Sequence, residues 1–321
     1  MTLVSAGMPV LNGAASIERA LRSLMSQTHR ELEIVVCDNA SDDATPAIVR
    51  RLASEDNRIV LCRFEDRVDI RGSFQRAYEA AQGEFFFFAP ADDRWHSRFV
   101  EKTLARLLAD RSLAAACARI AFAAVPAAEG RPGKPAYVSF GTKELRGDHR
   151  QNLLGYLADP FDNARAFGLY RRTALEAAFP SLWYPGWDWQ MTARTLARGG
   201  HGELDEVLAW REATPPERYA AEFARQRRGP LTRLLPHLPV ARAIWRDPTT
   251  PRCPKVAWNL ALLALRSHIN FAPIARPRYG GFVQWLAGRA KFRRWAINRG
   301  PVLPPGEDPH EDWRARLRSS G

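Results

Sequence analysis

The chain has 321 residues, 46% of them apolar and 10% aromatic, with four Cys and a formal net charge of +12. That apolar content excludes wholesale disorder, and the length suits one large domain or two modest ones around a substantial core. No apolar run reaches the ~18–20 residues of a bilayer span, and no basic segment leads into an apolar stretch as in an export signal, so the thiols are expected reduced in a cytoplasmic protein.

Leu3–Val10 is a short β-rich run with Pro9 near its end. Residues 15–25 place Ile17, Leu21, Leu24 and Met25 on one helical face. Glu33–Cys37 is an apolar strand followed by the polar segment DNASDDAT. Thr45–Ala53 reads as a helix, with Pro46 in the first turn where its missing N–H is harmless. Residues 59–64 read as strand, 72–81 as helix, and 84–88 as a strand with four consecutive Phe. ADDRW follows at 91–95, then a helix over 98–109.

Apolar strands alternating with helices predict a parallel sheet covered on both faces. Ligands of such sheets bind beyond the carboxyl ends of the strands. Two acidic clusters lie at such ends, Asp38–Asp43 and Asp92–Asp93. No Gly-rich phosphate loop follows a strand, which argues against a dinucleotide fold and a P-loop. Adjacent carboxylates at a strand end can instead hold Mg²⁺ or Mn²⁺ bridging to a diphosphate. An Asp–Asp pair alone is as readily a turn or a helix cap.

Cys37, Cys62 and Cys117 sit on apolar runs and are expected as small core residues. The seven His have no ligand spacing, so no zinc site is expected, and His96 reads as a surface residue at a helix start. Arg171 and Arg172 are expected on the surface.

The charge is concentrated at the end of the chain. Residues 218–321 hold 20 Lys+Arg against 6 Asp+Glu, a net +14, while the first 217 residues carry −2. Trp245, Trp258, Trp285, Trp295 and Trp313 also lie there, interleaved with cations as in GFVQWLAGRAKFRRWAI at 281–297. Trp beside Arg and Lys suits a membrane interface, where rings sit at headgroup depth and cations meet lipid phosphates; the plainer alternative is a set of solvated helix faces. Pro230, Pro236, Pro239, Pro248, Pro251, Pro254, Pro273 and Pro277 divide the region into short pieces, without a long recognition helix. Zinc-finger spacing, a basic zipper and an RNP-like strand are also missing, so no nucleic acid is expected and an anionic membrane surface is the favoured partner.

MPVLNG (8–13), EIVVCDNASDDAT (33–45), QGEFFFFAPADDRW (82–95) and YPGWDWQMTARTLARGG (184–200) resemble, in order and spacing, the inverting glycosyltransferase family 2, over about residues 3–215. The resemblance implies a GT-A fold, an α/β Rossmann-like mixed sheet with helices on both faces. It accounts for a GT-A domain over 1–215 (nucleotide-sugar half 1–112, acceptor half 113–215) and leaves unexplained the basic, mostly helical extension over 216–321 that the charge sets apart. By position, Pro9 and Asn12 line the nucleotide pocket, Asp38 accepts a hydrogen bond from the base, Asp43 shapes that loop, and the segment Arg71–Arg76 flanks the donor. Asp92 and Asp93 match the DxD-type element that binds the metal, Mn²⁺ or Mg²⁺, and the donor diphosphate. Asp188 falls where the family has its general base, ahead of a helix over 189–198, and Arg211 is a candidate phosphate contact.

Departures from the family pattern are Leu11 where many members carry an aromatic, the triplet Pro90-Ala91-Asp92, and Trp187 where relatives often have Glu or a small residue. Trp183, Trp187 and Trp189 either desolvate Asp188, raising its pKa, or stack on sugar faces. The implied activity moves a sugar from a nucleotide-sugar donor to a glycan or lipid-linked acceptor at the cytoplasmic membrane face. The alternatives are a nucleotidyltransferase, for which MPVLNG supplies no basic phosphate grip, and an inactive binding module, against which Asp38, Asp92, Asp93 and Asp188 stand.

Overall fold

Apolar runs bounded by polar loops assemble the centre of the molecule. In the computed structural model, which describes residues 2–123, 137–138, 144–158, 163–184, 186–212, 235 and 237–275, four parallel strands lie side by side in the order β3-β2-β1-β4. They are β1 (Val4–Val10), β2 (Leu32–Asp38), β3 (Ile59–Arg63) and β4 (Phe85–Phe88). Their register aligns Val10 with Asp38 and Asp38 with Arg63, so the carboxyl ends finish together.

Every residue of β1 and β4 is buried, because helices cover both faces. The period of two sorts the Phe quartet. Phe85 and Phe87 join Ile17, Leu21 and Leu24 of α1 (Ile17–Met25) and Val49 and Leu52 of α2 (Thr45–Glu55). Phe86 and Phe88 join Ala77 of α3 (Ile70–Glu79) in a second core. That helix starts two residues before the expected 72 because Asp69 caps it, its Oδ1 accepting from Gly72 N at 2.7 Å.

Beyond β4 the sheet becomes mixed. The strands β5 (Arg94–Trp95), β6 (Leu113–Ala123), β7 (Tyr137–Val138), β8 (Leu169–Arg171) and β9 (Gly200–Glu212) complete the order β3-β2-β1-β4-β8-β6-β9-β5, with β7 on the side of β6. β8 runs antiparallel to β4 and β6, β9 parallel to β6, and β5 antiparallel to β9. Immediately after the Asp pair the chain is thus stitched to β9, with Arg94 opposite Trp210. α4 (Phe99–Ala109) packs Phe99, Val100 and Leu104 on the first core.

The second core is roofed by α5 (His149–Ala158), α6 (Arg172–Leu175), α7 (Trp187–Thr195), α8 (Leu238–Arg246) and α9 (Pro254–Ala275). α7 opens at Trp187 rather than 189, after Gly186 at φ 77°, a left-handed conformation that favours glycine. α9 corrects the expectation of short pieces: it runs for 22 residues. Pro254 occupies its first position, where no backbone donor is lost, and Pro273 falls in its last turn. Among the described residues no helix is long and apolar enough to cross a membrane. Trp285, Trp295 and Trp313 lie outside the described residues.

Candidate active site

Two turns at the carboxyl ends of β1 and β2 are laced into one surface. Asn12, at φ 55°, donates its N–H to Ser41 Oγ at 2.9 Å, and its Oδ1 accepts from Asp42 N at 3.0 Å. Gly13 N donates to Thr45 Oγ1 at 2.9 Å and Ala14 N to Asp43 Oδ2 at 3.0 Å. Asp43 Oδ1 also accepts from Thr45 N at 2.9 Å. Burial works against the Asp43 carboxylate, but these bonds outweigh it and hold the group below its usual range. Pro9 is buried at the end of β1, and Leu11 stands exposed beside it.

Asp38 is fully buried; its Oδ1 accepts from Ser41 N at 3.0 Å, and its Oδ2 lies 3.5 Å from Arg63 Nε. Two further arginines gather on this loop: Arg67, which sequence reasoning missed, and Arg76, the far end of the segment expected to flank the donor. Arg67 donates to Ala40 O at 3.1 Å and Asp42 Oδ2 at 2.8 Å. Arg76 donates to Asn39 Oδ1 at 3.3 Å and lies over the Phe64 ring. Arg71 is not brought to these turns: its Nη1 donates to Pro180 O at 3.2 Å, and it lines a cavity of about 350 Å³ with Tyr78, Phe179 and Arg194.

The structure divides the pair after β4. Asp92 is half-buried, whereas Asp93 is 1% exposed with its Oδ2 2.8 Å from Arg211 Nε. The Arg211 guanidinium lies over the Phe167 ring, 3.4 Å from its centroid. The pair lies on a turn between β4 and β5, closed by Asp93 N donating to Pro90 O at 3.1 Å, which leaves Asp92 open and turns Asp93 inward.

Asp188 sits in the first turn of α7. Its Oδ2 accepts from Asn163 Nδ2 at 2.6 Å. Asn163, at φ 44°, accepts in turn from Tyr156 OH at 2.8 Å and from Thr192 Oγ1 at 3.2 Å, so its amide is fixed with Nδ2 toward the carboxylate. Burial pushes the Asp188 carboxyl above its usual range, while the Asn163 amide and the Arg211 charge pull it down. Arg211 therefore acts electrostatically on both acidic elements, and β9 is what joins them.

Trp187 packs in the aromatic core, stacked on Phe179 and edge-on to Phe74, rather than offering a face to a sugar. Trp189 tilts against His237 at 4.5 Å. His96 is buried, not a surface residue: its backbone N donates to Leu208 O at 2.9 Å as β5 joins β9, which draws the side chain inward. Arg171 braces β8 by donating to Leu113 O and Leu107 O, and Arg172 lies over Tyr78. Burial pushes the Cys37 and Cys117 thiols up to about 12, which makes them inert core residues.

A divalent cation fits here in one specific way. Among the described residues no three His, Cys, Asp or Glu side chains converge as a cage. Asp92 offers a hard, accessible carboxylate, and Mg²⁺ or Mn²⁺ is commonly held by one or two carboxylates together with substrate phosphates and water.

Residues 5–179 match the family model Glycosyl transferase family 2. Glycosyltransferase AglD of Haloferax volcanii is 29% identical over 208 residues, covering 61% of this chain and 31% of that protein. WfgD of Escherichia coli, named a UDP-Glc:alpha-D-GlcNAc-diphosphoundecaprenol beta-1,3-glucosyltransferase, is 33% identical over 106 residues, 33% of this chain and 41% of that protein. The chain thus spans less than half the length of these curated relatives. Residues 1–349 of S. aureus TarS in complex with UDP-GlcNAc superpose with a TM-score of 0.59 at 18% identity, over 84% of this chain and 73% of that one. The mannosyltransferase PcManGT from Pyrobaculum calidifontis, in complex with GDP-Man and Mn²⁺, gives 0.56 at 21% identity, over 99% and 86%. These structural likenesses identify the curled mixed sheet as GT-A-like, and with the family model spanning more than half of its length, the chain belongs to glycosyltransferase family 2.

Proposed function

We propose that the protein transfers a sugar from a nucleotide-sugar donor to a hydroxyl of a glycan or lipid-linked acceptor, with inversion, in surface polysaccharide or glycolipid synthesis. The carrying observation is Asp188, fixed by Asn163 and within the electrostatic reach of Arg211, which itself pairs with Asp93. The names of relatives support the substrate classes: WfgD is named for UDP-Glc and a diphosphoundecaprenol acceptor, and TarS holds UDP-GlcNAc.

In this reading Pro9, Leu11 and Asn12 form one wall of the nucleotide pocket, and the Asp38 carboxylate at its floor accepts from the base. Asp43 keeps the two turns together through Ala14 and Thr45. Asp92 faces the diphosphate and would hold Mn²⁺ or Mg²⁺, which when bound offsets negative charge on the leaving group. Asp93 takes a different part from the expected ligand: with Arg211 it holds the turn that presents Asp92. Asp188 removes the proton from the acceptor hydroxyl as that oxygen attacks the anomeric carbon, and its raised pKa makes it a stronger base. One displacement with the base opposite the leaving group inverts the anomeric centre. The basic region over 216–321 associates with an anionic membrane at the cytoplasmic face, where lipid-linked acceptors reside.

The test is a donor screen. UDP-, GDP- and dTDP-sugars are incubated with Mn²⁺, Mg²⁺ or EDTA, and nucleoside diphosphate release and product anomeric configuration are measured. Release from one nucleotide class, supported by metal and giving inverted product, is the expected result; no release from any donor overturns the reading.

A further inference from the structure

We propose that the groove between α5 and α9 is the surface through which the protein sits on an anionic bilayer. The proposal rests on the reading of 216–321 as membrane-associating and assigns the contact to described residues.

The charge on this face is one-sided. From His237 to Ala264 the exposed ionisable side chains are Arg242, Arg246, Arg252 and Lys255. The single acid of that stretch, Asp247, is buried, with Oδ2 accepting from Arg194 Nε at 2.5 Å. α5 contains no acid; the exposed carboxylate beside it is Asp148, which accepts from Gln151 N at 2.8 Å at the helix start and is outnumbered by the cations. Arg150 is exposed in its first turn. Such a face complements lipid phosphates rather than an acidic-and-basic protein surface.

The apolar side of the argument is Trp258. Among the described residues the exposed large apolar side chains include two aromatics, Trp245 on α8 and Trp258 on α9. Trp258, 65% exposed, lines an open groove of about 570 Å³ with Leu154, Gly155, Pro254, Lys255 and Asn259. An indole left open to water beside a lysine is costly in solution and stable at headgroup depth.

Position gives the surface a purpose. α8 packs on α7, with Trp189 against His237 and Gln190 Nε2 donating to Asp247 Oδ2 at 3.3 Å. α5 supplies Tyr156, which donates to the Asn163 that fixes Asp188. The helices that would rest on the bilayer are therefore those that hold the proposed base, which couples membrane contact to the elements that position Asp188.

The experiment is flotation of the full chain at low salt with vesicles of phosphatidylcholine alone or with a third phosphatidylglycerol. The proteins are wild type, Trp258→Ser, Lys255→Glu, Arg252→Glu/Lys255→Glu and the control Leu182→Ser, whose side chain is exposed elsewhere. Binding of wild type to the anionic vesicles alone is expected. Bound fraction is expected to fall about fivefold or more in the double variant and measurably in each single variant, with Leu182→Ser and donor hydrolysis in solution unchanged. Wild-type binding that all variants retain overturns the groove while leaving membrane association to other parts of 216–321. No wild-type binding to either vesicle removes membrane association itself without touching transferase activity. Equal binding to neutral vesicles, or a dimer in sedimentation that Trp258→Ser dissociates, overturns the anionic-surface assignment.

Discussion

Arg211 Nε lies 2.8 Å from Asp93 Oδ2, a contact that ties β9 to the turn after β4 and places a cation next to a carboxylate 1% exposed. The pair separates two adjacent aspartates into different physical roles. Removing one partner of a buried pair leaves an uncompensated charge, so Asp93→Ala should destabilise the fold by about 3 kcal/mol. Asp92→Ala, at a half-buried position, should cost under about 1 kcal/mol. Binding of UDP or GDP in Mn²⁺ should be lost in the Asp92 variant. Urea unfolding and thermal-shift titration read the two effects; equal destabilisation by both substitutions would contradict the division.

The Asn163–Asp188 hydrogen bond sets a pH dependence. As a base Asp188 must be ionised, so kcat/KM should rise with pH along an acid limb lying above the usual carboxylate range, because burial raises this group. Asn163 stabilises the ionised form, so Asn163→Ala should move that limb to still higher pH and lower the rate at neutral pH. Asp188→Asn should bind donor nucleotide normally and lose transfer by about 10³-fold or more, the scale expected of a base. An unshifted limb in Asn163→Ala would separate the limb from Asp188.

Glu203 on β9 offers a test of stability. Burial pushes its carboxyl up to about 8, against the attraction of Arg165 and Arg119. In the unfolded chain the same group ionises near the ordinary glutamate value of 4.5. Between these values the folded protein keeps a proton that the unfolded chain has released, so this group lowers stability progressively as pH rises through the window. Glu203→Gln should raise Tm little near pH 5 and most above about pH 8. A pH-independent Tm difference would exclude this titration.

Asp69 tests how α3 is set. With its Oδ1 accepting from Gly72 N at 2.7 Å it holds the first turn, and four residues after Gly72 comes Arg76, which meets Asn39. Asp69→Ala should cost about 1 kcal/mol, while Asp69→Asn should retain most of the cap; both are read by chemical denaturation.

Much of the site was legible because it lies at strand ends. Asp38, Asp43 and Asp92 each follow an apolar run whose period announces a buried strand, and the chain must surface there. Other features had no local signature. Arg71 and Arg76 share one helix, and only packing decides that Arg76 meets the Asn39 loop while Arg71 meets Pro180. His96 looked like a helix-start surface residue, but the β5–β9 pairing buried it. The 22 residues of α9 could have been read from the absence of Pro between 254 and 273, had proline been weighed by position within the helix rather than by count.

By itself, the sequence determined the family, the parallel half of the sheet and the approximate stations of the acidic residues, since these follow from local hydrophobic period and motif order. The tertiary structure alone decided which carboxylate is open and which is neutralised. Asp93 meets Arg211 from 118 positions along the chain, and Asp188 meets Asn163 from 25. Charge pairing and desolvation depend on distances through space, and those exist only once β9 has closed against β5 and β6.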